Sequence, residues 1–181
     1  VDDTARLVEN FATVNSHRDV IELASFPFEH ESWLADRNLA RVFNFGLRGM
    51  RPDLDYVVVL GADEVLPSNH FEAISKEMSR SGGDIVIASG RISGERNTVP
   101  RGSGRLVDWQ WWRDVSDGLY PVNYGYESWL VGKCRSLGRE CAVLPGIVSI
   151  VQRPTGANYP DIGYYRRGLA YRALGYSRRF V

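Results

Sequence analysis

The chain has 181 residues and a hydrophobic fraction of 44%, which suits one domain with a core of its own. Its 22 basic and 22 acidic residues cancel, so no global charge draws it toward nucleic acid. No apolar run is long enough to span a bilayer, and none reads as a signal peptide. Cys134 and Cys141 have no second pair, which argues against a zinc site or a disulfide framework and for reduced thiols in a cytosolic protein.

"VDDTARLVENFATV" predicts a helix. Asp2, Asp3 and Thr4 are N-cap types, and Leu7, Val8 and Phe11 recur at helical spacing. The chain begins without Met, already at this helix onset, and reads as a fragment. "DVIELASF" (19–26) reads as a short strand. "SWLADRNLARVFNFGLRGM" (32–50) predicts a second helix, with Leu34, Leu39, Val42, Phe43 and Leu47 on its apolar face and Arg37, Asn38 and Arg41 on its polar side.

"DYVVVLGADEVLP" (55–67) is continuously apolar up to Leu60, as a strand covered on both faces would be. "NHFEAISKEMSRS" (69–81) is a helix stopped by Gly82-Gly83, and "DIVIASGRI" (84–92) is another buried strand. Helices and strands alternating in this way predict an α/β domain with a largely parallel sheet. "SGERNTVPRGSGR" (93–105) reads as an exposed loop, and the aromatic-dense 106–126 as irregular. "ESWLVGKCRSLG" (127–138) is a helix, "ECAVLPGIVSIVQRP" (140–154) one or two strands around Pro145-Gly146, and 161–180 a helix rich in Tyr and Arg. There is no internal repeat and no Gly-rich phosphate loop between a strand and a helix.

Ligands gather beyond the carboxyl ends of strands in α/β sheets, and Gly61 to Glu64 lies at such an end. The carboxylates of Asp63 and Glu64 suit a hard divalent cation that bridges phosphate oxygens. The plainer reading is that both residues belong to a polar turn.

The order "DRNLARVFNFGL", "DYVVVLGADEVLP", "DIVIASG", "GYESWLVGKCRSLGREC" resembles the family 2 glycosyltransferases of the GT-A fold. That family carries Arg-Asn on a helix, a strand ending in Asp-x-Asp followed by Pro, and a later Gly-Glu-Asp motif opening a helix that ends in Gly. "VDDTARLV" is similar to the tail of the family's Gly-Ser-Thr-Asp-x-Thr segment, with Asp2 and Thr4 in register. The resemblance implies a three-layer, Rossmann-like, mostly parallel sheet flanked by helices. It also implies N-terminal truncation, the first strand and the base-binding carboxylate lying upstream of residue 1. Residues 1–100 would be the remainder of the nucleotide-sugar-binding half, 101–160 the acceptor-side half, and 161–181 a C-terminal basic and aromatic helix.

Residue by residue, the resemblance assigns Arg37, Asn38 and Asp63 to the nucleotide-sugar donor and Glu127 to the general base. It assigns Asp63, with Glu64 beside it, to a divalent cation, Mg or Mn. Gly61 stands where the family has its first Asp, and "SIVQRPTG" has Gln152 or Arg153 where many members have a metal-binding His. An arginine such as Arg153 would neutralise diphosphate charge in the metal's place. The aromatic segment precedes the base in the family, which makes Trp109, Trp111, Trp112 and Tyr126 the acceptor-side residues. Packing of these tryptophans onto the sheet is the alternative.

The expected function is inverting transfer of a hexosyl group from a nucleotide sugar to a hydroxyl of a glycan or lipid-linked acceptor, in glycan or cell-surface polysaccharide synthesis. The alternative is a catalytically inactive relative that binds carbohydrate or a protein partner. The expected location is cytoplasmic; the C-terminal helix reads either as an amphipathic helix packed on the core with a solvated basic side or as a peripheral contact at the inner face of the membrane. There Arg166, Arg167, Arg172, Arg178 and Arg179, interleaved with Tyr164, Tyr165, Tyr171 and Tyr176, would meet an anionic surface. No nucleic acid is expected as a partner. His17 and His30 read as loop residues, and His70 as a surface residue of its helix.

Overall fold

The computed structural model describes residues 3–16, 21–24, 26, 37–61, 64–100, 103–123, 125–152 and 161–176; the side chains of 37, 38, 161–164, 166 and 167 fall outside that description. Contacts divide the chain into two units, 1–31 and 32–181.

In the first unit, helix α1 (Thr4–Val14) starts after Asp3, whose carboxylate pairs with Arg6 at 2.9 Å. Its covered side is Val8 and Ala12, whereas Leu7, Phe11 and Val14 are exposed. Val8, Glu9 and Ala12 line a small cleft with Ile21 and Leu23. Of the strand expected over 19–26, residues 21–24 and 26 are described and belong to no strand.

The second unit is a mixed α/β arrangement. It contains α2 (Arg37–Arg48), β1 (Tyr56–Val59), β2 (Glu64–Val65), α3 (His70–Arg80), β3 (Ile85–Ile92), β4 (Arg105–Asp108), α4 (Trp109–Ser116), α5 (Tyr126–Ser136), β5 (Glu140–Val151) and α6 (Asp161–Ala173). The five strands lie in the order β1-β4-β3-β5-β2. Only β3 and β5 pair in parallel; β1 with β4, β4 with β3, and β2 with β5 are antiparallel.

The expectation of a largely parallel sheet therefore fails, and it fails mainly at β4. Two successive strands run parallel only if a crossover, usually helical, returns the chain to its starting end. The link from β3 to β4, residues 93–104, contains no helix among its described residues, so β4 returns antiparallel between β1 and β3. β5 follows α5 and is parallel to β3.

Side-chain alternation along β1 gives the sheet two covered faces. Val57 and Val59 join a core that includes Ala40 and Leu47 of α2, Trp109 and Trp112 of α4, and Leu130 of α5. Tyr56 and Val58 face the other way, into a core with Ile74 and Met78 of α3. This is why the run is continuously apolar.

β5 is one long strand whose register against β3 shifts opposite Pro145-Gly146. Gly90 of β3 faces that shift. A Cβ there would lie 2.7 Å from Ile147 O and 3.3 Å from His70 Cε1, so only glycine fits. α6 packs on α5, where Tyr176 Oη donates to Gly132 O at 3.1 Å. Ala170 is buried, while Tyr165 and Arg172 are exposed. Among the described residues no helix is long and apolar enough to cross a membrane.

Candidate functional site

The carboxyl end of β1 is tied to the start of β4. Gly104 N–H donates to Val59 O at 3.0 Å, and Gly61 N–H donates to Ser103 Oγ at 2.8 Å. Gly104 adopts φ +69°, and a Cβ on it would lie 3.1 Å from Glu64 Oε1. Glycine thus lets this turn lie directly under the Glu64 carboxylate. Glu64 opens β2, opposite Val151 of β5, and its Oε2 is buried with no hydrogen-bond partner among the described residues. An unpartnered buried carboxylate oxygen is costly, and a cation or a donor would relieve it.

His70 reaches the same turn. Its Nε2 donates to Gly104 O at 2.8 Å, while Nδ1 is buried without a partner. His70 was expected on the surface; at 2% exposure it is a core residue, because it begins α3 and its ring packs against Gly90.

The next residue, Arg105, lies opposite Val59 in the β1–β4 register and is 1% exposed. Its Nη2 donates to Tyr120 Oη at 3.0 Å, and its Nε has no partner. Burial opposes the charge on Arg105, but Tyr120, Glu127 and Tyr126 outweigh it, and the net effect raises its pKa. Burial likewise raises the Tyr120 phenol; Arg105 counters this and Glu127 adds to it.

Glu127 is half-buried in the first turn of α5, after Gly125 at the N-cap. An acidic residue is favoured at this end of a helix, because the unsatisfied N–H groups carry partial positive charge. Glu127 acts on Arg105 through space, while Glu64 lies against the preceding residue, Gly104.

The aromatic segment folds in two ways that its composition hides. Arg105–Asp108 is strand β4, and Trp109–Ser116 is helix α4, capped by Asp108 Oδ1 accepting from Trp111 N–H at 2.8 Å. Trp109 and Trp112, expected on the acceptor side, are at 3% and 0% exposure and offer no ring face to a ligand. They meet edge to face at 5.9 Å, Trp112 packs on Tyr120 at 4.8 Å, and Trp109 Nε1 donates to Arg51 O. Both are core residues because they lie one helical turn apart on the inner side of α4. Trp111 and Tyr126 are half-buried at the edge of this core. Tyr126 packs on Tyr120 at 5.3 Å and on Phe43 at 5.8 Å.

Asp63, Arg153, His17 and His30 lie outside the described residues, as do the side chains of Arg37 and Asn38, which begin α2. Gln152 is exposed. Among the described residues no three His, Cys, Asp or Glu side chains come together as a metal site. Glu64 Oε2 has a free lone pair for a hard cation, but it is one oxygen where such a cation takes six or more. Arg105 and Tyr120 went unnoticed in the sequence, and His70 was read there as a surface residue. The available signal for Arg105 was an arginine heading the apolar run "RLV" directly after Gly-Ser-Gly. Comparison with protein families, with curated proteins and with solved structures finds no match for this chain.

Proposed function

We propose that the chain is an inverting glycosyltransferase of the GT-A type, moving a hexosyl group from a nucleotide sugar to an acceptor hydroxyl of a glycan or lipid-linked glycan. The observation that carries this reading is Glu127 in the first turn of α5, acting on the buried Arg105 that stands opposite the last residue of β1.

In the proposed reaction Glu127 accepts the proton of the acceptor hydroxyl as that oxygen attacks the anomeric carbon. The bond to the nucleoside diphosphate breaks on the opposite face, which inverts the configuration. Arg105, a guanidinium buried behind Glu127, favours the growing negative charge of the leaving diphosphate through its field and not by contact. A divalent cation, where one binds, would add to that neutralisation, and Glu64 and Asp63 are the carboxylates to hold it.

The alternative reading, an inactive relative that binds carbohydrate or a protein partner, draws on Gly61 in the place of a first carboxylate. Incubation with UDP-, GDP- and dTDP-sugars separates the two. Turnover or slow donor hydrolysis supports the enzyme, and donor binding without either supports the alternative. If no donor turns over and no nucleotide shifts the melting temperature, the glycosyltransferase reading falls.

A further inference from the structure

Cys134 and Cys141, seven residues apart in sequence, bring their sulfurs to 3.2 Å. Both are free thiols. Cys134 is fully buried near the end of α5, and Cys141 is half-buried as the second residue of β5. The chain between them is held by its own backbone. Gly138 turns at φ +70°, Arg139 N–H donates to Cys134 O at 3.1 Å, and Glu140 N–H donates to Asp84 O at 2.8 Å. The two sulfurs are therefore presented to each other by a braced turn, not by chance contact of long side chains. A disulfide needs about 2.04 Å between sulfurs, so a modest approach suffices. The cations Arg135 and Arg139 act on Cys134, and Arg135 and Arg105 act on Cys141. Positive charge of this kind favours a thiolate and draws in an anionic reactant.

We propose that Cys134 and Cys141 form a redox-active dithiol that a small anionic disulfide of the oxidised glutathione type closes into an intramolecular disulfide. The inference does not depend on the glycosyltransferase reading. Cys141 is the attacking group. The hydrogen bond it shares with Cys134, and then Arg135, hold it below the usual thiol range against its burial, and it is the more exposed of the two. The same hydrogen bond, and then burial, push Cys134 up and make it the resolving thiol. The Cys141 thiolate attacks one sulfur of the small disulfide, whose S–S bond breaks, and the first small thiol leaves with that electron pair and takes up a proton. Cys134 then gives up its proton and attacks Cys141 Sγ, and the second small thiol leaves. Two protein thiols lose two electrons, and one small disulfide becomes two thiols. The product covalently links α5, the helix that carries Glu127, to β5.

The folded chain is equilibrated in glutathione buffers of rising oxidised-to-reduced ratio, quenched in acid, unfolded and alkylated for mass spectrometry. Two labelled thiols should convert to none, with a loss of two hydrogens and no lasting glutathione adduct. Cys134→Ser should accumulate one glutathione at residue 141, while Cys141→Ser should acquire it at least tenfold more slowly at residue 134. Retention of both labels at the highest ratio, or a stable wild-type glutathione adduct, overturns the proposal. So do equal rates in the two variants. The wild-type measurement stands even if a variant does not fold.

Discussion

Asn44 of α2 holds both backbone groups of Tyr120. Its Nδ2 donates to Tyr120 O at 2.8 Å, and Tyr120 N–H donates to its Oδ1 at 2.8 Å. The amide copies the pattern of a strand neighbour and fixes a loop residue with no sheet partner. Tyr120 in turn holds Arg105. Asn44 is 4% exposed, so truncation leaves two buried backbone groups unsatisfied. Asn44→Ala should cost about 2–4 kcal/mol, from two hydrogen bonds lost with their partners left buried. Urea denaturation measures it, and a loss below about 1 kcal/mol would mean water replaces the amide.

Arg105 and Tyr120 test whether the buried guanidinium is kept for function. A buried charge without a close ion-pair partner usually destabilises a core, and apolar replacement of such groups is often neutral or stabilising by about 1–4 kcal/mol. Arg105→Met with Tyr120→Phe removes the charge and the hydroxyl that would lose its partner. The double variant should melt at or above the wild type yet lose donor turnover by about 100-fold or more, as for a lost charge-stabilising group. Lower stability with unchanged turnover would make the pair structural.

The Tyr120 phenol gives the fold an alkaline limit. Burial raises its pKa above the ordinary value of 10.0. The unfolded chain then releases this proton first, so the native state binds more protons across the interval between the two values. The stabilisation is fully present below about pH 9 and is lost as pH rises through the folded value. Arg105, also raised, stays charged throughout. Urea midpoints from about pH 8 to 11 should fall more steeply for the wild type than for Tyr120→Phe. Parallel slopes would contradict this.

Gly90 tests the close approach of β3, β5 and His70. A Cβ at 2.7 Å from a backbone oxygen forces the strands apart at the register shift. Gly90→Ala should cost about 1–3 kcal/mol, typical of overpacking. A smaller cost of Gly90→Ala in an Ile147→Ala background would indicate that the side-chain contact at 3.0 Å, not the backbone oxygen, sets the penalty.

Much of the α/β framework was legible because periodicity and helix stops are local. "NHFEAISKEMSRS" contains α3, "DIVIASGRI" contains β3, and "ESWLVGKCRSLG" covers α5 but for its first residue. The direction of β4 was not legible, since strand pairing depends on where a returning chain docks and not on the run itself. Helix α4 was obscured by aromatic density, although Asp108 before Trp109-Gln110-Trp111-Trp112 is an N-cap signal. Site residues divide in the same way. Glu127 could be picked out by motif spacing. Arg105 becomes visible only when β4 places it opposite Val59, and His70 only when the Gly104 carbonyl is there to receive it.

Glu127→Gln is the most discriminating single substitution. Gln keeps the size and a polar group at the start of α5 but cannot take a proton. The negative charge in the first turn is lost, at a cost of about 0.3–1 kcal/mol. If Glu127 is the base, donor affinity should stay within about threefold while turnover falls by about 100-fold or more, the usual range for a lost general base. Donor hydrolysis should fall in parallel if the attacking water uses the same carboxylate. The electrostatic influence of Glu127 on Arg105 gives a second readout. Removing the carboxylate leaves Arg105 with less countercharge, so a diphosphate ligand should bind the variant at least as well as the wild type. Calorimetric titration with UDP, GDP and dTDP measures this directly. Loss of nucleotide binding together with turnover would move Glu127 from proton transfer to a role in holding the donor.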